Sequence, residues 1–91
     1  MVHGGVIASI LDSAIGLNIN KELVEKGKVA ITSQLNVHYL KPVSKGRITA
    51  KAKPLFIGSK VAVGYGELKD EKGDTIAIAT STFYISSRGG Q

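Results

Sequence analysis

The sequence lacks cysteine, which excludes disulfide bonds, thiolate metal sites and cysteine nucleophiles. It has only two histidines, His3 and His38, and this disfavours a multi-histidine metal site. At 91 residues the chain fits one domain, residues 1–91, with a small core. Because neither disulfides nor metals stabilise it, we expect association with further copies to enlarge that core.

Long hydrophobic runs are also absent. No segment reaches the roughly 18–20 apolar residues that a membrane-spanning helix needs. The longest apolar stretch, residues 6–19, has neither a basic segment before it nor a small-residue cleavage site after it, so it is unlike a signal peptide. These features predict a cytoplasmic protein with no membrane partner.

Negative charge is scarce. Seven Asp and Glu stand against twelve Lys and Arg, and the net charge is +5. This balance favours a polyanionic partner, and a basic surface that serves only solubility is the alternative. The basic residues are scattered with no run of five, and no aromatic stacking platform accompanies them. Both features argue against a nucleic-acid partner.

The apolar stretch near the N-terminus has the periodicity of a helix. We predict a helix over residues 5–18, resuming over residues 21–26, because asparagines interrupt the pattern between them. One face carries Ile7, Leu11, Ala14 and Ile15. The remaining surface is also largely apolar, with Val6, Ile10 and Leu17, and this predicts a helix buried on nearly all sides.

Four strands are predicted after the helix. They cover residues 29–40, 47–56, 61–70 and 75–86, with turns over residues 58–60 and 71–74. Pro54 indicates an edge position or a bulge in the second strand. Because short turns join antiparallel neighbours, the predicted fold class is α+β, with one long buried helix wrapped by a curved antiparallel β-sheet.

Three motifs in this arrangement resemble one enzyme family. The Val-His-Gly-Gly-Val of residues 2–6, followed by an apolar helix with Asp12, resembles the His-Gly-Gly motif of hotdog-fold thioesterases of the phenylacetate-degradation type. Residues 36–42 look like that family's strand and proline turn, and residues 79–85 are similar to its last strand. The resemblance implies the hotdog fold and hydrolysis of acyl-coenzyme A (acyl-CoA) thioesters, with no metal or redox cofactor.

Members of that family carry several tens of residues before the His-Gly-Gly, including a first strand and an Asn or Gln that assists the thioester carbonyl. In this chain the motif begins at His3. The resemblance therefore predicts a single hotdog domain that lacks the family's N-terminal strand and upstream segment.

The resemblance also assigns roles at the start of the helix. Thioester hydrolysis needs stabilisation of the charge that develops on the carbonyl oxygen, and a helix N-terminus offers N–H groups and partial positive charge. By resemblance, the Gly4 N–H is the main donor and Gly5 lies beside it; a plain glycine turn is the alternative. Asp12 would be the general base or nucleophile, or else a carboxylate that caps a backbone amide or lies on a solvated stripe.

Gly4 and Asp12 are too far apart to act together within one chain. Eight residues of helix separate them by roughly 12 Å at about 1.5 Å per residue. Both can serve one reaction if they come from two chains whose helices pack antiparallel, and the resemblance agrees, since the family's sites lie at dimer interfaces. We therefore expect a homodimer or a dimer of dimers.

Five further candidates follow from the resemblance. His3 would orient the loop or form a hydrogen bond near the carbonyl; the alternative is a local structural contact. Thr32 would lie near the reacting water; the alternative is an ordinary strand residue. Gly58, Ser59 and Lys60 resemble the family's Gly-plus-basic turn. Lys60 would contact a phosphate of coenzyme A, or else remain a solvated turn lysine.

The acyl pocket is expected to be lined largely by Ile7, Leu11, Ile15 and the neighbouring strands. A hotdog module that binds acyl-CoA without hydrolysing it is the main alternative function. A dehydratase that acts on acyl-carrier protein ranks lower, because that branch uses a different His-and-Glu pattern with a proline, which is absent here.

Overall fold

The computed structural model describes residues 4–42 and 46–87. A helix, α1, spans Gly4–Leu23 and is followed by a 3₁₀ turn at Val24–Lys26. The strands are β1 (Lys28–Tyr39), β2 (Ile48–Ile57), β3 (Val61–Asp70) and β4 (Thr75–Ser87). Within the described residues, no helix has the length and apolar character that crossing a membrane requires.

The four strands form one antiparallel sheet in the order β1-β4-β3-β2, and α1 packs on one face of it. The four strand predictions are confirmed to within one residue at each end. Pro54 lies in the edge strand β2, and the pairing of β2 with β3 changes register between Pro54 and Phe56. The prediction of an edge position or a bulge at this proline is therefore confirmed as both.

The helix does not stop after Asn18, and the prediction of a break there is wrong. It runs without interruption to Leu23, because Ile19 and Leu23 extend the stripe that begins at Ile7. Every fourth residue from Ile7 to Leu23 is buried against the sheet. The side chain of Asn20 is bonded within this arrangement and does not disrupt it.

The prediction that the helix is buried on nearly all sides is also wrong for the single chain. Val6 is 51% exposed and Leu17 is 74% exposed, because the four strands cover only one side of α1. The core lies between α1 and the sheet, where the sheet contributes Leu68, Ile76 and Phe83. The opposite side of α1 is an apolar flank without a cover among the described residues.

Strand β3 presents bare backbone to the helix. Gly64 and Gly66 are buried on the face that carries Leu68, and the alternate residues of β3 point away. A Cβ atom at Gly64 would lie 2.3 Å from Ile15 Cγ2, and one at Gly66 would lie 2.9 Å from Ile15 Cγ1. Both distances are shorter than any real contact, so α1 packs this closely only because these positions lack side chains.

Lys41 ties the end of β1 to the turn between β3 and β4. Its Nζ lies 2.8 Å from Asp74 Oδ2 and 3.1 Å from Asp70 Oδ2. The bond to Asp74, and then the bond to Asp70, raises the pKa of Lys41 above its usual 10.5. The Lys41 ammonium in turn lowers the pKa of Asp70 below its usual 3.8.

We expect Lys41→Met to lower the thermal midpoint slightly at neutral pH and not at all in strong acid. The Asp70 contribution is complete above the unfolded-state pKa near 3.8 and is lost as the pH falls through the lower folded-state value. The Lys41 contribution is complete below 10.5 and is lost only as the pH rises through its raised value. Because the pair is solvent-exposed, the effect is small.

Thermal melts of both proteins between about pH 2 and pH 8 check this prediction. The two midpoints should converge at the acid end. Midpoints that stay equally separated across the whole range would show that Lys41 acts through packing and not through its charge.

Candidate active site

A hydrogen bond joins two of the predicted site residues, Asp12 and Thr32. The Thr32 hydroxyl donates to Asp12 Oδ1 over 3.1 Å. Asp12 lies on the third turn of α1 and is partly exposed, and Thr32 lies on the edge strand β1. This bond engages Oδ1 of the carboxylate and not Oδ2. Asp12 therefore bonds a side chain of another element and does not cap a backbone amide.

A β-bulge follows Thr32 directly. The pairing of β1 with β4 changes register between Thr32 and Gln34. The Ser33 hydroxyl donates to the carbonyl oxygen of Thr82 over 3.1 Å, which fastens the bulged residue to the neighbouring strand. Bulges change the direction of nearby side chains and are common beside functional sites. This bulge directly follows Thr32, whose side chain points towards α1 and bonds Asp12.

Gly4 and Gly5 begin α1, and the first turn carries no acidic side chain. The partial positive charge of the helix N-terminus is therefore not offset by acidic residues of its own first turn. The helix is continuous from Gly4 past Asp12, so the two residues are separated by roughly 12 Å along its axis. The two parts of the predicted site do not meet within one chain. His3, the remaining candidate here, lies outside the described residues.

A groove of about 700 Å³ follows the exposed flank of α1. Its lining is mostly apolar and comes from Gly5, Val6, Ser9, Ile10, Ser13, Ala14, Leu17 and Ala50. The expectation that Ile7, Leu11 and Ile15 line an acyl pocket is wrong for the single chain, because these three side chains are buried in the core against the sheet. Their neighbours on the opposite side of the helix line the groove instead.

The predicted turn of Gly58, Ser59 and Lys60 joins β2 to β3, and Ser59 and Lys60 are exposed. The Gly58 N–H donates to the Val61 carbonyl over 2.8 Å, and the Lys60 carbonyl accepts from the Ile85 N–H over 2.9 Å. Ile85 lies on β4, which separates this turn from β1. Two strand spacings, about 10 Å, therefore separate the turn from the strand that carries Thr32.

Sequence reasoning missed Asn20, which it treated as a residue that interrupts the helix. Asparagine in a helix interior is unfavourable unless its side chain finds a partner, and this was the available signal.

No group of three His, Asp or Glu side chains suited to a metal ion occurs within residues 4–42 and 46–87.

A comparison with protein families gives one match over most of the chain. The family model described as the thioesterase superfamily matches residues 1–77. Among curated relatives, the medium/long-chain acyl-CoA thioesterase YigI of Escherichia coli is 39% identical over 93% of this chain and 63% of its own length. This chain spans 51–63% of the length of such relatives, the lower value coming from an Archaeoglobus fulgidus protein that is 34% identical.

Solved structures agree with the fold. A Bacillus halodurans protein crystallised with CoA superposes with a TM-score of 0.88 at 37% identity, over 94% of this chain and 60% of that one. A thioesterase from Haemophilus influenzae superposes with a TM-score of 0.87 at 24% identity, over 94% of this chain and 59% of that one, which shows the fold alone. The predicted α+β hotdog fold is confirmed.

Proposed function

Because the chain belongs to the thioesterase superfamily, we propose that it hydrolyses acyl-CoA thioesters at a site shared between two copies of the chain. The products are a free carboxylic acid and coenzyme A. The observation that carries the proposal is the hydrogen bond from Thr32 to Asp12. It provides an oriented carboxylate on the same helix whose N-terminus opens with Gly4 and Gly5. The relatives named for acyl-CoA hydrolysis and crystallised with CoA support the same substrate class.

In the proposed reaction, Asp12 is the general base. Its Oδ1 accepts the Thr32 hydroxyl, which orients the carboxylate, and Oδ2 removes a proton from a water molecule. The water oxygen bonds to the thioester carbon, the carbon–sulfur bond breaks, and the proton passes from Asp12 to the departing sulfur. The acid and the thiol of coenzyme A leave, and Asp12 is again ionised.

The carbonyl oxygen needs a donor while negative charge develops on it. Gly4 and Gly5 of the second chain supply that donor, because a helix N-terminus carries partial positive charge and glycine admits close approach of a ligand to the backbone. The 12 Å estimate along α1 requires the second chain, since roughly 12 Å exceeds the reach of one aspartate side chain. Two equivalent sites then form in each symmetric dimer.

The finer parts of the proposal follow the sequence motifs. We propose the phenylacetate-degradation type for the chain, because the His-Gly-Gly of residues 3–5 resembles the motif of that type. In the proposed assembly, two dimers pair into a tetramer in the cytoplasm. Lys60, together with Gly58 and Ser59, contacts the phosphates of coenzyme A, which carries about four negative charges that a basic surface attracts. The exposed position of Ser59 and Lys60 supports this contact.

Mixing two inactive variants tests whether the site is shared. Asp12→Asn removes the base from one chain, and Gly4→Val blocks the donor end of the other. A heterodimer of the two has one site with both parts intact and one with neither. We expect each variant alone to be inactive and the isolated heterodimer to regain about half of the wild-type turnover, as one of two equivalent sites is whole.

The assay is release of free thiol from a panel of acyl-CoA esters that includes aliphatic and phenylacetyl groups. Homodimers of each variant, purified in the same way, are the controls. No recovery in the heterodimer would place both parts of the site in one chain. Acyl-CoA binding by the wild-type protein without Asp12-dependent thiol release would indicate a binding module and overturn the enzymatic proposal.

A further inference from the structure

Asn20 connects the helix to the strand that carries Thr32. Its Oδ1 accepts the N–H of Ala30 over 2.7 Å, and its Nδ2 donates to the Gly16 carbonyl over 3.0 Å. The same Nδ2 lies 3.5 Å from the Ala30 carbonyl oxygen. One partly buried side chain therefore engages the backbone of both α1 and β1.

The position of this contact in the fold allows it to determine where Thr32 lies relative to α1. β1 is an edge strand, so only β4 holds it within the sheet of one chain. Ala30 is two residues before Thr32, and β-strand side chains two residues apart point to the same face. Asn20 therefore holds β1 against α1 at Ala30. The next side chain on the same face of β1 is Thr32, whose hydroxyl bonds Asp12.

The residue that follows Thr32 is held by a different contact. Ser33 bonds to Thr82 on β4 and holds the bulge, so it sets the strand against the sheet. It does not set the strand against the helix. Asn20 and Thr32 both link α1 to β1: Thr32 bonds the side chain of Asp12, whereas Asn20 bonds the backbone of the strand at Ala30.

We propose that Asn20 is a positioning residue that holds Thr32 in hydrogen-bond reach of Asp12. This inference rests on the proposed function of Asp12 as the base. Hydrogen bonds weaken steeply with distance and misalignment, so a small shift of β1 along α1 removes the orientation of the carboxylate. Asn20 does not touch the substrate, and its effect on the reaction passes entirely through Thr32.

The test is a double-mutant cycle. We expect Asn20→Ala to lower kcat on the order of tenfold with KM little changed, because misplacement of a catalytic group costs rate more than binding. Thr32→Val should lower kcat by a similar factor. If Asn20 acts through Thr32, adding Asn20→Ala to Thr32→Val should produce no further loss.

Two variants serve as comparisons. Asn18→Ala changes the same residue type on the same helix, and Asn18 makes no side-chain hydrogen bond to the described residues, so kcat should not change. Asn20→Asp keeps an oxygen that accepts the Ala30 N–H but cannot donate to the Gly16 carbonyl, so it should lose part of kcat, and this loss should disappear when Thr32→Val is already present. This conservative variant also provides the test if Asn20→Ala does not fold.

A readout that does not depend on hydrolysis separates this inference from the proposed function. The NMR shift of the Thr32 methyl group should move in Asn20→Ala and not in Asn18→Ala, and exchange of the Ala30 amide should accelerate. These changes, without Asp12-dependent turnover in the wild-type protein, would reject the function and keep the positioning contact. Asp12-dependent turnover with losses from Asn20→Ala and Thr32→Val that multiply would reject the positioning role.

Discussion

Replacing Asp12 with Asn is expected to lower kcat for acyl-CoA hydrolysis on the order of a thousandfold, within the range that general base catalysis contributes. Asparagine has nearly the same shape and its side-chain oxygen still accepts the Thr32 hydroxyl, so the local structure should persist. It cannot take a proton from water. The loss should therefore appear in kcat, and KM and the affinity for coenzyme A should change little.

Glu22→Gln is the matched control, because it removes a carboxylate from the exposed side of the same helix. It should leave kcat within about twofold, as expected of a surface residue away from the site. Thiol-release kinetics and a thermal melt are needed for both variants. An Asp12→Asn protein that folds and retains wild-type turnover would remove Asp12 from the mechanism.

The second large effect is expected at Gly64, where Gly64→Ala should reduce the free energy of unfolding by about 3 kcal/mol, the upper part of the range for overpacked cores. The new Cβ would lie 2.3 Å from Ile15 Cγ2 and 2.9 Å from Ile19 Cδ1. Both partners belong to the fully buried stripe of α1, so neither can move aside without displacing others. The helix must lift from β3 or the side chains must leave their preferred rotamers.

Gly16→Ala provides the opposite case with the same chemical change. Its Cβ would lie 3.8 Å from the Phe83 ring, which is an ordinary contact. Because alanine favours the helix more than glycine, this variant should be stabilised by up to about 1 kcal/mol. Urea unfolding at one fixed protein concentration measures both, since association contributes to apparent stability. Equal changes in the two variants would mean that the close approach of α1 to β3 does not determine stability.

The strands could be predicted from the sequence because their signals are local. Alternating side chains, turn residues and one proline fixed all four strands to within a residue. The helix could not be predicted as well, because its second half depends on a long-range partner. Asn20 is unfavourable in an isolated helix, and its contact with Ala30 on β1, together with the burial of Ile19 and Leu23 against the sheet, explains why α1 continues to Leu23.

The candidate site was predictable in its parts but not in its arrangement. Asp12 was evident as the only carboxylate in the apolar helix predicted over residues 5–18, whereas Thr32 came only from the resemblance to a position where the family often has a hydroxyl. Their bond joins residues 20 positions apart on two elements, and a bulge lies directly beside Thr32; neither the long-range contact nor the bulge has a local signature in the sequence. The burial of Ile7, Leu11 and Ile15 was expected, but periodicity does not tell which side of the helix a sheet will cover, so the lining of the groove by the opposite side was not predicted.

The two glycines of β3 also determine what can vary in this site. Ile15 of α1 packs against the sheet where Gly64 and Gly66 leave room for it, so side chains at these two positions would move α1, and Asp12 with it, away from the sheet. Under the proposed function, adaptation to acyl groups of different size would fall to the exposed flank of α1 and to the edge strand beside it, which lie outside this close contact.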